Sequence, residues 1–216
     1  MIYVTGDIHG DYDSLMEREL NRLKKGDKLI VTGDFGFIWD NSNKEKSNLK
    51  KLSKKKYDIL FVEGAHENFS SLREFPQVDL YQSKAYRIDH NIFCLKRGEI
   101  YVIEGKSVFT LGGGLPPYED EPTENPPSIP TDDELKYAVD NIQNHQRRVD
   151  LIITHEAPAS IKRMVDRNAT VNDLNIFLDT VMKNTRYGKW FFGALHRDRK
   201  VSDNLICVFE EVHKAE

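Results

Sequence analysis

The sequence predicts an α/β protein in which a parallel sheet is joined by a second, more antiparallel one. Three observations carry this expectation. Short apolar runs alternate with amphipathic segments through the first third of the chain, the order that parallel neighbours require because their connections must cross over. Closely spaced strand-like runs then fill residues 85–114, and two more follow amphipathic stretches in the last third.

The first strand is IYVTG (2–6), followed by a helical pattern with Leu15, Leu20 and Leu23. LIVTG (29–33), a Lys-rich helix and ILFVEG (59–64) complete a strand, helix, strand, helix, strand order. From Ala85 to Gly114 the segments AYRI, IFCL, EIYVIEG and SVFTLGG read as consecutive antiparallel strands of the second sheet. An acidic, proline-rich loop at about 115–130 carries six prolines and four acids. Thr131 and Glu134 form a capping box that opens a helix to about Arg148. DLIIT (150–154) is the next strand, a helix covers about 171–184, and strands form around KWFFG (189–193) and LICVFEEV (205–212). No linker divides the chain, so residues 1–216 are read as a single domain.

Composition excludes several classes. With 31 Lys+Arg against 35 Asp+Glu the net charge is -4, which argues against global attachment to nucleic acid or an anionic membrane. Cys94 and Cys207 stand far apart, as in a reducing compartment rather than a disulfide framework. The opening residues lack a signal-peptide pattern and no apolar run reaches the ~20 residues of a membrane span. The expectation is a cytoplasmic protein.

Five strand ends carry metal-ligand chemistry. Asp7 and His9, in GDIHG, follow the first strand, and residues i and i+2 of an extended segment point to one side, where they can grip one ion. Asp34, in GDFG, follows the second strand, and His66, in GAHENF, follows the third. His155, in THEAP, and His196, in GALHRD, end later strands. Asp and Gly at one strand end are ordinary turn formers. Carboxylates and imidazoles at five ends, aimed at one edge, form a metal-site constellation.

The ordered set D-x-H, GD, G-x-H-E, H and G-x-x-H, spanning residues 6–196, resembles the calcineurin-like metallophosphoesterases. The resemblance implies a four-layer α/β/β/α sandwich of two mixed sheets flanked by helices. It also implies a metal-dependent phosphoesterase in which two divalent metals share a hydroxide that attacks phosphorus. Asp7, His9, Asp34 and His196 would build the first metal site, with Asp34 bridging to a second that His155 also serves. His66 would be the catalytic histidine, assisting the leaving oxygen. An imidazole, ordinarily of pKa ~6.5, suits proton transfer near neutral pH.

Three departures refine this. The family's third motif usually has Asn where this chain has Ala65, and its last motif usually has His where this chain has Ala194. Both missing side chains would bind the second metal, so one tight and one weak site are expected, with Glu67, Asn68 or Glu156 as substitute ligands. Manganese is the first choice of metal, with iron, zinc, nickel or cobalt as alternatives. GDFGFIW also lacks the GDxxDRG of the phosphoprotein phosphatases, leaving the orientation of His66 without an evident partner.

The expected substrate is a small phosphodiester or nucleotide, with Arg197 and Arg73 as candidate phosphate-binding residues. Two rivals are a phosphate- or nucleotide-binding protein that the alanines at 65 and 194, native or introduced, leave catalytically impaired, and a nuclease, disfavoured by charge. Seven lysines between Lys44 and Lys56 read as a solvated helix face. Trp39 and Phe69 could stack on a base near the site, but core packing is the expected role of each.

Overall fold

The computed structural model describes residues 1–115 and 126–215. The elements run β1 (Ile2–Thr5), α1 (Tyr12–Glu17), β2 (Lys28–Val31), α2 (Asn43–Leu52), β3 (Asp58–Val62), α3 (Phe69–Glu74), β4 (Gln77–Leu80), β5 (Ser83–Asp89) and β6 (Ile92–Leu95). β7 (Ile100–Ile103), β8 (Lys106–Leu111), α4 (Asp132–Asn144), β9 (Arg148–Thr154), α5 (Ala159–Val165) and α6 (Asp173–Asn184) follow. β10 (Arg186–Phe192), β11 (Arg199–Lys200), β12 (Leu205–Cys207) and β13 (His213–Lys214) close the described chain. Most of the expected acidic loop, residues 116–125, lies outside the described residues.

Two mixed sheets result. The first has the order β13-β1-β2-β3-β6-β5-β4, with β1, β2, β3 and β6 parallel. The second has the order β11-β12-β10-β9-β8-β7, with β8, β9, β10 and β12 parallel. The expectation that residues 85–114 form one antiparallel sheet is corrected. The β5–β6 hairpin completes the first sheet, the β7–β8 hairpin begins the second, and the second sheet is parallel at its centre. Short turns are compatible with either arrangement, because sheet membership is decided by tertiary packing.

Side-chain alternation sorts the strands into layers. On β3, Ile59 and Phe61 face the cluster beneath α1 and α2, whereas Leu60 and Val62 face the cluster between the sheets. On β10, Phe191 joins that middle cluster, while Trp190 and Phe192 pack with residues of α4, α5 and α6. Three apolar layers therefore separate four structural layers, helix on sheet on sheet on helix.

The capping box of Thr131 and Glu134 forms at the start of α4, which ends at Asn144 so that β9 can begin at Arg148. The run 205–212 is strand only to Cys207. Beyond it, the Asp198 carboxylate accepts from the amides of Phe209, Glu210 and Glu211 at 2.7, 2.9 and 3.2 Å, bending the segment into a loop.

Candidate metal centre and active site

The parallel strands of both sheets direct their carboxyl ends to one edge, where α/β proteins place ligands. Asp7 follows β1, Asp34 follows β2, His66 follows β3, His155 follows β9 and His196 follows β10. Phe35 and Phe37 anchor the loop that carries Asp34. Both are buried, and Phe35 stacks on Phe61 with ring centroids 4.3 Å apart. Each such burial stabilises by ~1.5–3 kcal/mol.

Close approach at this edge requires glycine. A Cβ on Gly64 would overlap the Asp34 carboxylate, and one on Gly193 would overlap the Asp7 carboxylate and the Thr32 hydroxyl. Four non-glycine residues here are held in the left-handed region: His9 (φ 52), Asp34 (φ 44), Ala194 (φ 58) and His196 (φ 47). Strain of this kind persists only where surrounding contacts impose it, and it gathers at functional sites. Asp7 and His9 thus meet through a turn, not through the extended alternation expected from sequence.

One oxygen or nitrogen from each of Asp7, His9, Asp34 and His196 lies within 4.8 Å of the others. His9 Nε2 is 3.0 Å from His196 Nε2, which is 3.2 Å from Asp7 Oδ2. His9 Nε2 is 3.8 Å from Asp34 Oδ2. Adjacent ligands of an octahedral cation bound at ~2.1 Å stand ~3 Å apart, so the spacing fits a divalent ion. Asp7 Oδ2 accepts from the Ala194 amide, but Asp7 Oδ1 is buried with no hydrogen-bond partner. A bare buried carboxylate oxygen is costly unless a cation meets it.

His155 and His66 flank the same carboxylate. His155 Nδ1 donates to the Thr32 carbonyl at 3.0 Å, which leaves Nε2, 3.8 Å from Asp34 Oδ2, with its lone pair free to bind metal. His66 donates its amide to Asp34 Oδ1 at 2.8 Å, and its ring Nδ1 lies 3.2 Å from Oδ2. Asp34 therefore provides the orientation for His66 that the sequence left without a partner.

Electrostatics follow this packing. Burial raises Asp34, but the charge of His155 and the hydrogen bonds from His66 outweigh it and hold the carboxyl well below the usual range. Burial lowers His9, against the pull of Asp34 and Asp7. For His155 the same two carboxylates outweigh burial and raise it. The hydrogen bond to Asp7 raises His196.

The three suggested substitute ligands are engaged elsewhere. Burial beside Asp34 pushes Glu67 up to about 8, and its carboxyl accepts from the Phe35 amide at 2.8 Å. Asn68 caps α3, and Glu156 is held by Lys162 at 2.7 Å and Asn175 at 2.8 Å. Arg197 pairs with Asp166 at 3.5 Å, and exposed Arg73 lines a neighbouring hollow with Trp39, Asn68 and Phe69. Phe69 is buried, as expected from sequence, whereas Trp39 is 52% exposed and not core.

Two further residues support the site with little or no signal in the sequence. Buried Arg18 donates to Thr5 Oγ1 and to the carbonyls of Gly6 and Asp7, bracing the first motif from behind. Phe209 stacks on His196 with centroids 5.0 Å apart and has the Arg18 guanidinium 6.0 Å from its own ring. The signal for Arg18 was a charge three residues beyond Leu15, on the apolar stripe. Phe209 gave none.

This fold and site define a metal-binding phosphoesterase. The calcineurin-like phosphoesterase family model matches residues 1–198, and the chain belongs to that family, a class of metal-dependent phosphoric ester hydrolases. Among solved structures the chain is similar to a phosphopantetheinyl hydrolase (PptH) from Mycobacterium tuberculosis. That similarity is 13% identity over 96% of this chain and 87% of that chain, with a TM-score of 0.46. No curated protein sequence matches the chain significantly. No helix among the described residues is long and apolar enough to cross a membrane.

Proposed function

We propose that this chain hydrolyses small phosphodiesters or nucleotide-like phosphoesters. Asp7, His9, Asp34 and His196 would hold one divalent cation firmly, and Asp34 with His155 would hold a second more loosely. Manganese is the first candidate, since mixed carboxylate and imidazole ligands suit it. When bound, such cations supply Lewis acidity toward the phosphoryl group and lower the pKa of water toward ~7.

The chain's own residues do the rest. Asp34 lies 3.8 Å from both His9 Nε2 and His155 Nε2, so it is the carboxylate shared between the two ligand sets. Its Oδ2 accepts from His66 Nδ1, which leaves His66 Nε2 to carry a proton to the leaving oxygen. Arg197 and Arg73 are the candidate holders of remaining phosphate charge. The net charge of -4 supports a small substrate over a nucleic acid polymer.

The observation that carries this reading is the convergence of four ligand atoms beside the orphaned Asp7 oxygen. The test is hydrolysis of bis-p-nitrophenyl phosphate with manganese. Turnover is expected, and His66→Ala should lower it sharply without changing metal binding. Undiminished turnover in that variant would defeat the assignment.

A second reading, a phosphate- or nucleotide-binding protein without turnover, is supported by Ala65 and Ala194 at the second site. Activity that appears only in the Ala65→Asn, Ala194→His double variant would favour it. Activity in the unaltered chain would favour the enzyme.

A further inference from the structure

Beside the metal ligands lies a hollow of about 350 Å³, with His9 and His66 on one side and Phe37, Trp39, Lys44 and Asn48 among its other walls. Its size falls within the ~300–1,000 Å³ of small-molecule sites. On the proposed reading, on which this inference rests, His66 protonates the leaving oxygen, so the hollow that His66 lines receives the leaving group.

The wall of that hollow is unusual in what it exposes. Trp39 is 52% exposed, although so large an apolar residue is ordinarily mostly buried. Its backbone is firmly fixed. The Glu45 carboxylate accepts from the amides of Trp39, Asp40 and Asn41 at 2.6, 2.9 and 3.3 Å, and the Trp39 carbonyl accepts from Asn68 Nδ2 at 2.5 Å. The loop thus presents an apolar face to solvent from a rigid mount, which lowers the entropy cost of binding.

Charge near the ring is selective. Lys44 borders the hollow on one side of Trp39, and Arg73 borders a second hollow on the other. Neither cation has a hydrogen bond or ion pair among the described residues. Two carboxylates also line the hollow, Glu45 turned to the three loop amides and Asp40 turned to the Ser42 amide at 2.9 Å, which leaves Lys44 as the cation there that a phosphate can meet. A planar ring beside the Lys44 ammonium suits a ligand that is both flat and anionic.

We infer that Trp39 is the platform on which the base of a nucleotide substrate stacks, while Lys44 draws its phosphate charge, so that the hollow selects nucleotide-like leaving groups. The chain has two tryptophans, and the other, Trp190, is wholly buried with Nε1 donating to Thr154 Oγ1. Ligand-dependent change in exposed tryptophan emission therefore reports on Trp39.

The test compares adenosine 5′-monophosphate with ribose 5-phosphate on the manganese-loaded protein, by tryptophan fluorescence and calorimetry. The nucleotide should quench Trp39 and bind about tenfold more tightly, the scale of one base–aromatic stack. Trp39→Ala should bring its affinity down to that of ribose 5-phosphate, and Trp39→Phe should restore most of it. Equal affinities of the two probes, or equal weakening of both in Trp39→Ala, would overturn the inference. Binding needs no turnover, so base selectivity without diester hydrolysis would defeat only the enzymatic reading, and hydrolysis without base selectivity only this inference.

Discussion

Asp34 grips His66 twice, accepting its amide at 2.8 Å on one carboxylate oxygen and facing its ring Nδ1 at 3.2 Å with the other. One carboxylate thereby links the candidate metal ligands to the proposed proton donor. Asp34→Asn should remove both classes of metal binding and lower diester turnover by ~100-fold or more, since ligand-shell changes alone cost ~10–100-fold. His155→Ala should abolish only the weaker class. Calorimetry and steady-state kinetics on the two variants check this, and an intact weak class in His155→Ala would remove His155 from the site.

The two glycines that admit the carboxylates offer a steric test. Gly64→Ala would press on Asp34 and Gly193→Ala on Asp7, so each should weaken manganese binding at least ~10-fold in a folded protein. Gly105, at φ +75 with open space around it, is the control. Gly105→Ala should lower stability by ~1 kcal/mol through backbone strain and leave the metal titration unchanged.

Away from the metal, Arg97 holds a buried ion-pair network. It lies 2.5 Å from Glu63 and 3.0 Å from Glu134, and donates to the carbonyl of Pro127 at 2.8 Å. Arg97→Met should destabilise by ~3 kcal/mol, because it strands a buried carboxylate. Burial already raises Glu63, against the opposing charge of Arg97. A folded pKa above the usual 4.5 favours the native state fully below 4.5, and that contribution is lost as pH rises. Removing Arg97 lifts the carboxyl further, so the deficit should be smaller at pH 5 than at pH 8 in urea unfolding.

Restoring the family's second-site ligands should act on that site alone. Ala65→Asn with Ala194→His is expected to tighten the weaker manganese class about tenfold or more and leave the tighter class in place. Ala194 already sits at φ 58, a conformation that histidine tolerates better than a β-branched side chain. No change in the titration would mean that the second site is limited by something other than these two positions.

Much of the site was legible because its signals are local. Gly-Asp after an apolar run announces a strand end, and the box of Thr131 and Glu134 needs only three residues of spacing to start α4. The short helices α3 and α5 carried too few turns to show a period, and the assignment of the β5–β6 and β7–β8 hairpins to different sheets depended on packing between distant segments. Phe209 behind His196 and the exposure of Trp39 were hidden for the same reason. Stacking partners 13 residues apart in sequence leave no pattern along the chain.

The ligand count predicts unequal metal sites, four side chains for one cation and two for the other. Calorimetric titration of the metal-free protein with manganese should show one tight class with a stoichiometry near one and a second class at least ~10-fold weaker. Two equivalent tight classes, or no binding at all, would contradict the account.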